Sequence, residues 1–339
     1  MTTVVMLIAM TLIVNSVMGA EQAKMDPFKM NQLLGRGVNM GNALDAPSEG
    51  AWGFTLEEKY FQAVKDAGFN SVRIPVRWST HAMTEPPYTI DPNFLKRVDW
   101  AVNCALSRNM PVMLNVHHYL ELFDDPAGHK DRFLAIWEQL AEHYKNYTDT
   151  LILEPLNEPH GKLRGAEWNL LLKQAIAVIR KSNPDRILVA GSEWNTIGAL
   201  SSLEIPKDDR NIIVSIHCYD PLEFTHQGAP WVTDRDSNAW MGTKWPRNDA
   251  DKEAVIKNFD IAAAWAKQNN RPINLGEFGS INKADMDSRA IYTKFFADAA
   301  IERGFSFFYW QFDSDFAVYD IQTNTWIKPM LEALIPPKK

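Results

Sequence analysis

Residues 112–161 read VMLNVHHYLELFDDPAGHKDRFLAIWEQLAEHYKNYTDTLILEPLNEPHG. The segment opens on one short apolar run, Val112–His117, and closes on another, Leu151–Glu154. Between them, Phe133, Ile136, Trp137, Leu140 and Tyr144 recur at the i, i+3, i+4 spacing of an amphipathic helix over Asp131–Tyr144. Two buried runs separated by a helix predict parallel neighbours, because a parallel pair needs a long crossover whereas an antiparallel pair needs only a turn. The same unit repeats outward in both directions. Further strands are predicted at Gly35–Asn39, Ser71–Pro75, Ile187–Ala190, Ile212–His217, Ile273–Gly276 and Phe305–Trp310. Helices are predicted at Leu56–Asp66, Pro92–Arg108, Ala166–Lys181, Lys252–Gln268, Asp285–Arg303 and Lys328–Leu334, with a short one near Thr196–Leu203. Asp91-Pro92 at a start and Asn183-Pro184 after an end are the expected helix punctuation.

Eight strands and eight helices in strict alternation predict an α/β fold, a single (β/α)8 TIM barrel. An open nucleotide-binding sheet would carry G-x-G-x-x-G after its first strand; GRGVNMGNALDAP at residues 35–47 does not fit it. At 339 residues the chain is long enough for about two average domains. No Pro-, Gly- or Ser-rich linker divides it, so the barrel is assigned residues 21–339. The longest irregular stretch runs from Tyr219 to Asp251, a length that usually serves function.

Residues 4–14 (VVMLIAMTLIV) are apolar but too short for a bilayer of ~30 Å. With Gly19-Ala20 following, residues 1–20 read as a signal peptide, although MTT lacks a basic residue; an uncleaved anchor is the alternative. Either way the mature chain is expected outside the cytoplasm, secreted or periplasmic. Cys104 and Cys218 are expected as free thiols. A net charge of −7 argues against a nucleic-acid partner. No membrane association is expected after signal removal, and the chain is expected to be a monomer.

Active sites of such barrels sit at the C-terminal ends of the strands. There the sequence places Arg73, His117, His118, Asn157, Glu158, Trp194, His217, Tyr219, Glu277 and Trp310. Glu158 (LNEPHG) ends the fourth strand and Glu277 (NLGEFG) the seventh, on opposite sides of the barrel mouth. Opposed carboxylates suit glycosidic bond cleavage, which needs one acid at the leaving oxygen and one nucleophile or base at C1.

VRIPVRW, HHY, NEP, IHCYDP, GEFG and YWQF, in that order along the chain, resemble glycoside hydrolase family 5, retaining (β/α)8 enzymes of clan A. The resemblance covers roughly residues 30–335 and is nearest to endo-β-1,4-glucanases that also accept mannan. It implies Glu158 as acid/base, Glu277 as nucleophile and Asn157 as the amide at the sugar 2-hydroxyl. It places Arg73 and Tyr219 beside the nucleophile, His117 and His217 in the site, and Trp310 under the reacting sugar. It implies no cofactor or metal, and a β-1,4-linked polysaccharide or oligosaccharide as partner. Arg73 and Tyr219 should favour ionised Glu277, and Glu158 should start protonated.

Other candidates carry two readings each. Asn42 and Asp45 either bind distal hydroxyls or shape a turn, and His118 either touches ligand or packs on His117. His226 and Trp231 either meet substrate or fold their loop. Glu154 and Glu193 are expected as buried structural carboxylates paired with a barrel base, and Asp313 and Asp315 as an acidic loop rather than a calcium site. Asn146-Tyr-Thr is a glycosylation sequon that matters only in a glycosylating host. Of 12 tryptophans, those at 100, 137, 168 and 265 are expected to pack helices; those at 52, 78, 194, 231, 240, 245 and 310 are expected to outline a cleft.

A retaining endo-β-1,4-glucanase is the leading expectation, with an endo-mannanase or a bifunctional glucanase/mannanase as alternative. A barrel metalloenzyme using His117, His118, His217 and a carboxylate would usually need an early H-x-H at the first strand, which here ends in Asn39 and Asn42 instead. A non-catalytic carbohydrate-binding barrel would tolerate loss of one carboxylate, and both are present. No separate cellulose-binding module can be read, which points to soluble or amorphous substrate.

Overall fold

The computed structural model describes residues 25–337, so the expected signal peptide lies outside the described residues. Eight strands close a barrel in chain order. They are β1 (Arg36–Asn39), β2 (Ser71–Ile74), β3 (Val112–Asn115), β4 (Leu151–Glu154), β5 (Leu188–Thr196), β6 (Ile212–His217), β7 (Ile273–Glu277) and β8 (Ser306–Tyr309). Every pairing within the barrel is parallel, and β8 returns to β1 with Arg36 opposite Phe307. The fold is the predicted (β/α)8 barrel.

The helices are α1 (Pro27–Leu34), α2 (Glu58–Ala67), α3 (Pro92–Leu106), α4 (Leu120–Asp124), α5 (Pro126–Tyr144), α6 (Gly165–Ser182), α7 (Leu222–Thr225), α8 (Asp249–Asn269), α9 (Met286–Glu302) and α10 (Lys328–Leu334). Helix α1 was not expected. Asp26 caps it by accepting from the Phe28 and Lys29 amides, and Pro27 opens it without leaving an N–H unpaired. Helix α5 starts at Pro126 rather than Asp131 for the same reason, with the Asp125 carboxylate accepting from the Gly128 amide. The stretch 219–251 is less irregular than expected: α7, a 3-10 turn at Ser237–Trp240 and the start of α8 fall inside it.

Successive residues of a strand face opposite sides, and the barrel uses both. Outward residues such as Val72, Ile74, Val112 and Leu114 pack on the helix faces, where Phe133, Ile136, Trp137 and Leu140 meet them. Inward residues change character along the strands. Near the N-terminal ends, Met113, Ile152, Val189, Ile213 and Phe308 fill the axis and pack on Met30 and Leu34 of α1, which closes that end. Each such burial contributes about 1.5–3 kcal/mol. Gly37 makes room for Phe308, since a Cβ there would lie 2.4 Å from its ring. One step further along, the inward positions become Asn39, Arg73, Asn115, Glu154 and His217, all buried and polar.

Candidate active site

Arg73 organises the polar end of the axis. It is fully buried and spends five hydrogen bonds on four partners. Nε and Nη2 donate to Glu154 at 2.7 and 3.2 Å, and Nη2 also donates to Asn157 Oδ1 at 2.6 Å. Nη1 donates to Asn39 Oδ1 at 2.9 Å and to Glu277 Oε1 at 2.8 Å. A guanidinium's fork of donors suits this bridging, which an ammonium could not reproduce. Glu154 also accepts from Asn115 Nδ2 at 3.1 Å, so its charge is paired as expected. Glu193 does not follow that expectation: it is half-buried and makes no ion pair among the described residues.

Glu277 ends β7 and is almost fully buried. Arg73 holds one oxygen, and the Tyr219 hydroxyl donates to the other at 2.8 Å. Burial pushes this carboxyl up, while the Arg73 charge and the Tyr219 hydroxyl pull it back toward the ionised form. Glu158 follows β4 in a left-handed backbone conformation, φ 44°. Its side chain is 21% exposed to the cleft and lies 2.6 Å from His217 Nδ1. Asn195 Nδ2 lies 3.1 Å from His217 Nε2; donation there leaves the imidazole proton on Nδ1, facing Glu158. Burial lowers the His217 pKa to about 4, so the ring is neutral. Burial raises the Glu158 carboxyl to about 7, chiefly because its ionised form is poorly solvated. One oxygen each of Glu158 and Glu277 and a His217 nitrogen all lie within 4.8 Å of one another.

A cleft of about 1200 Å³ opens above these groups. Asn42, His117, His118, Asn157, Glu158, Trp194, His217, Tyr219, His226, Trp231, Glu277 and Trp310 all line it. Trp310 stacks on His117 with centroids 5.5 Å apart and planes 5° apart, and the Trp310–Gln311 peptide is cis. His118 meets His117 and Trp52 edge-on. His226 packs among Tyr219, Trp231 and Phe316, so it folds the loop while facing the cleft. Asn42 donates to Ser314 Oγ at 2.8 Å.

Besides Glu193, three placements differ from expectation. Asp45 does not line the cleft. It is fully buried, 4.0 Å from His118 Nε2, and burial pushes its carboxyl up to about 7. Trp78 and Trp245 are core residues, not cleft walls. Trp78 donates to the Asn115 carbonyl, and Trp245 packs on Tyr292 and Phe295. Proximity to a strand end did not reveal which way those rings point. The remaining five of that group (Trp52, Trp194, Trp231, Trp240 and Trp310) do line the cleft. Asp313 and Asp315 belong to no metal-spaced group among the described residues, and both cysteines are free and buried.

The sequence reading missed Asn39, Asn115 and Asn195, which brace Arg73, Glu154 and His217. The period-2 inward pattern that includes Arg73 and Glu154 could have found the first two. Asn195 was hidden because β5 continues past Ala190 through a register shift, with Trp194 and Asn195 at φ 51° and 50°.

Residues 33–316 match the family described as Cellulase (glycosyl hydrolase family 5). Endoglucanase H of Acetivibrio thermocellus is 40% identical over 319 residues, covering 92% of this chain and 34% of that protein. Endoglucanase B of Clostridium cellulovorans is 30% identical, covering 88% of this chain and 73% of that protein. The chain thus spans about a third of the length of the first of these relatives. A crystal structure of Thermotoga maritima Cel5A in complex with mannotriose aligns with TM-score 0.89 and 50% identity, over 91% of this chain and 100% of that one. Cel5A in complex with cellobiose aligns equally well, with TM-score 0.89. A closed barrel, two carboxylates at the ends of β4 and β7, and a family match over most of the chain lead to one conclusion: the chain belongs to glycosyl hydrolase family 5, the cellulase family.

Proposed function

We propose that the protein is a retaining endo-β-1,4-glucanase, with Glu277 as nucleophile and Glu158 as acid/base. The spacing of the two carboxylates carries this reading. Oxygens within 4.8 Å suit the ~5–5.5 Å carboxyl separation of double displacement. Inversion needs ~6.5–9.5 Å, to leave room for a water.

Ionised Glu277, oriented by Arg73 and Tyr219, attacks C1 of the sugar. Glu158 gives its proton to the glycosidic oxygen as the C1–O bond breaks, leaving a glycosyl ester on Glu277. Glu158, now ionised, takes a proton from water. The water oxygen bonds to C1 and the ester C1–O bond breaks, restoring Glu277. A pKa of about 7 keeps Glu158 protonated at acid pH and leaves about half of it protonated at neutral pH, as the first step requires. Loss of charge on Glu277 in the ester removes the repulsion that helps hold the Glu158 proton, so Glu158 can then act as base. Asn157 Oδ1 is taken by Arg73, which leaves its amide NH2 to donate to the sugar 2-hydroxyl. Trp310 offers a flat face to the same sugar.

The aromatic-lined cleft and the endoglucanase relatives support β-1,4-glucan as substrate. Mannan is a second reading, favoured by the mannotriose complex of Cel5A. Reducing-end release from carboxymethylcellulose, mixed-linkage glucan and mannan tests both; binding without release from any of them would refute an enzyme. Glu158→Ala should cost about 10²–10⁴-fold on glucan. On an aryl cellobioside whose leaving group needs no proton it should cost far less, and equal losses would refute the acid role. Secretion is part of the proposal, supported by the apolar run at residues 4–14 and Gly19-Ala20. N-terminal sequencing of exported protein would check it.

A further inference from the structure

His160 lies outside every group placed in the reaction so far, yet it is fastened to the acid's backbone. Its Nδ1 lies 2.6 Å from the Glu158 carbonyl oxygen, and since a carbonyl only accepts, His160 donates. Glu158 is the residue that needs holding. At φ 44° it occupies the left-handed region, where a residue with a Cβ stays only if its surroundings enforce it. The His160 ring is itself clamped. Trp194 stacks on it at 3.8 Å and 12°, and Phe123 packs on it at 4.0 Å. The turn around it is fixed from several sides. The Trp194 amide donates to the Pro159 carbonyl at 2.9 Å, and the Lys162 amide to the Phe123 carbonyl at 2.9 Å. Gly161 approaches the same Phe123 carbonyl so closely that a Cβ would lie 2.9 Å from it.

We propose that His160 is a positioning residue for proton transfer: its Nδ1–H locks the left-handed backbone of Glu158, and the Phe123–His160–Trp194 stack fixes that donor. The inference rests on Glu158 being the acid. With the donor gone, the Glu158 backbone can relax and its carboxyl drifts from the glycosidic oxygen. A misplacement of ~1 Å costs on the order of 10²-fold in a step that depends on alignment. The loss should fall on steps that need the proton and spare those that do not.

Two variants separate donor from ring. His160→Phe keeps an aromatic ring between Trp194 and Phe123 but cannot donate. His160→Asn carries an amide N–H close to the Nδ1 position. Both are assayed with wild type and Glu158→Ala on glucan and on a dinitrophenyl cellobioside, with melting curves in parallel. His160→Phe should lose about ten- to a hundredfold in kcat on glucan with KM little changed, and lose only a few-fold on the aryl substrate. His160→Asn should recover most of the glucan activity. Wild-type glucan activity in His160→Phe would overturn the proposal. So would equal losses on both substrates, or a His160→Asn no better than His160→Phe. If Glu158→Ala itself loses both substrates equally, the acid assignment fails. If Glu158→Ala shows the leaving-group dependence and His160→Phe does not, only the role of His160 fails.

Discussion

The two ends of the barrel axis are built from the same eight strands and do opposite things. At the N-terminal end Met113, Ile152, Val189, Ile213 and Phe308 pack dry against α1. One inward step away, Arg73, Asn115, Glu154 and His217 form a buried polar lattice. Apolar packing tolerates small shifts and yields stability from burial. The polar layer holds charges out of water, and every donor must meet its acceptor or destabilise the fold. The comparison teaches where each kind of damage should show: the closed end in folding, the open end in chemistry.

The sharpest way to break that division is Glu277→Ala. Turnover should fall by roughly 10⁴-fold or more. Azide should restore turnover with a product of inverted configuration, which chromatographic separation of the glycosyl azide anomers would detect. Absence of rescue would count against the nucleophile. Arg73→Ala should damage both properties at once. It strips the cation from Glu154 and Glu277, costing about 3–5 kcal/mol in denaturant unfolding and most of the activity. Phe308→Ala should cost a similar ~3–5 kcal/mol. The folded fraction should nonetheless keep kcat within a few-fold. A large kcat loss there would mean that the closed end also tunes the chemistry.

Titration sharpens the contrast further. Glu158 must enter the reaction protonated, so kcat/KM should decline as pH rises above about 7. A second titration, at Asp45, bears on folding and leaves the chemistry untouched. Its folded carboxyl sits at about 7 against an ordinary 3.8, so the folded state holds a proton that the unfolded state has released. Stability should therefore fall as pH rises from about 4 to 7. Asp45→Asn should flatten that part of the melting-temperature profile.

Much of this was legible in the sequence because it rests on short-range regularities. Phe133, Ile136, Trp137, Leu140 and Tyr144 reveal a helix without help from the fold, and eight alternations close a barrel. NEP and GEFG place Glu158 and Glu277 by strand position alone. What stayed hidden depends on long-range direction. Trp78 and Trp52 look alike in sequence, yet the first is buried and the second is a cleft wall. Asp45 reads as a rim residue because three-dimensional burial has no local signature. Helix α1 was overlooked because eight residues show little periodicity, although Asp26-Pro27 repeats the Asp91-Pro92 signal. Asn195 lies where β5 departs from regular geometry, and its role appears only once His217 is brought beside it.

The central claim is double displacement by Glu158 and Glu277, and stereochemistry tests it most directly. Proton NMR of a β-1,4-oligosaccharide digest, recorded before mutarotation, shows which anomer is released first. The account predicts the β-anomer at the new reducing end, giving way slowly to the equilibrium mixture. Initial release of the α-anomer would contradict it.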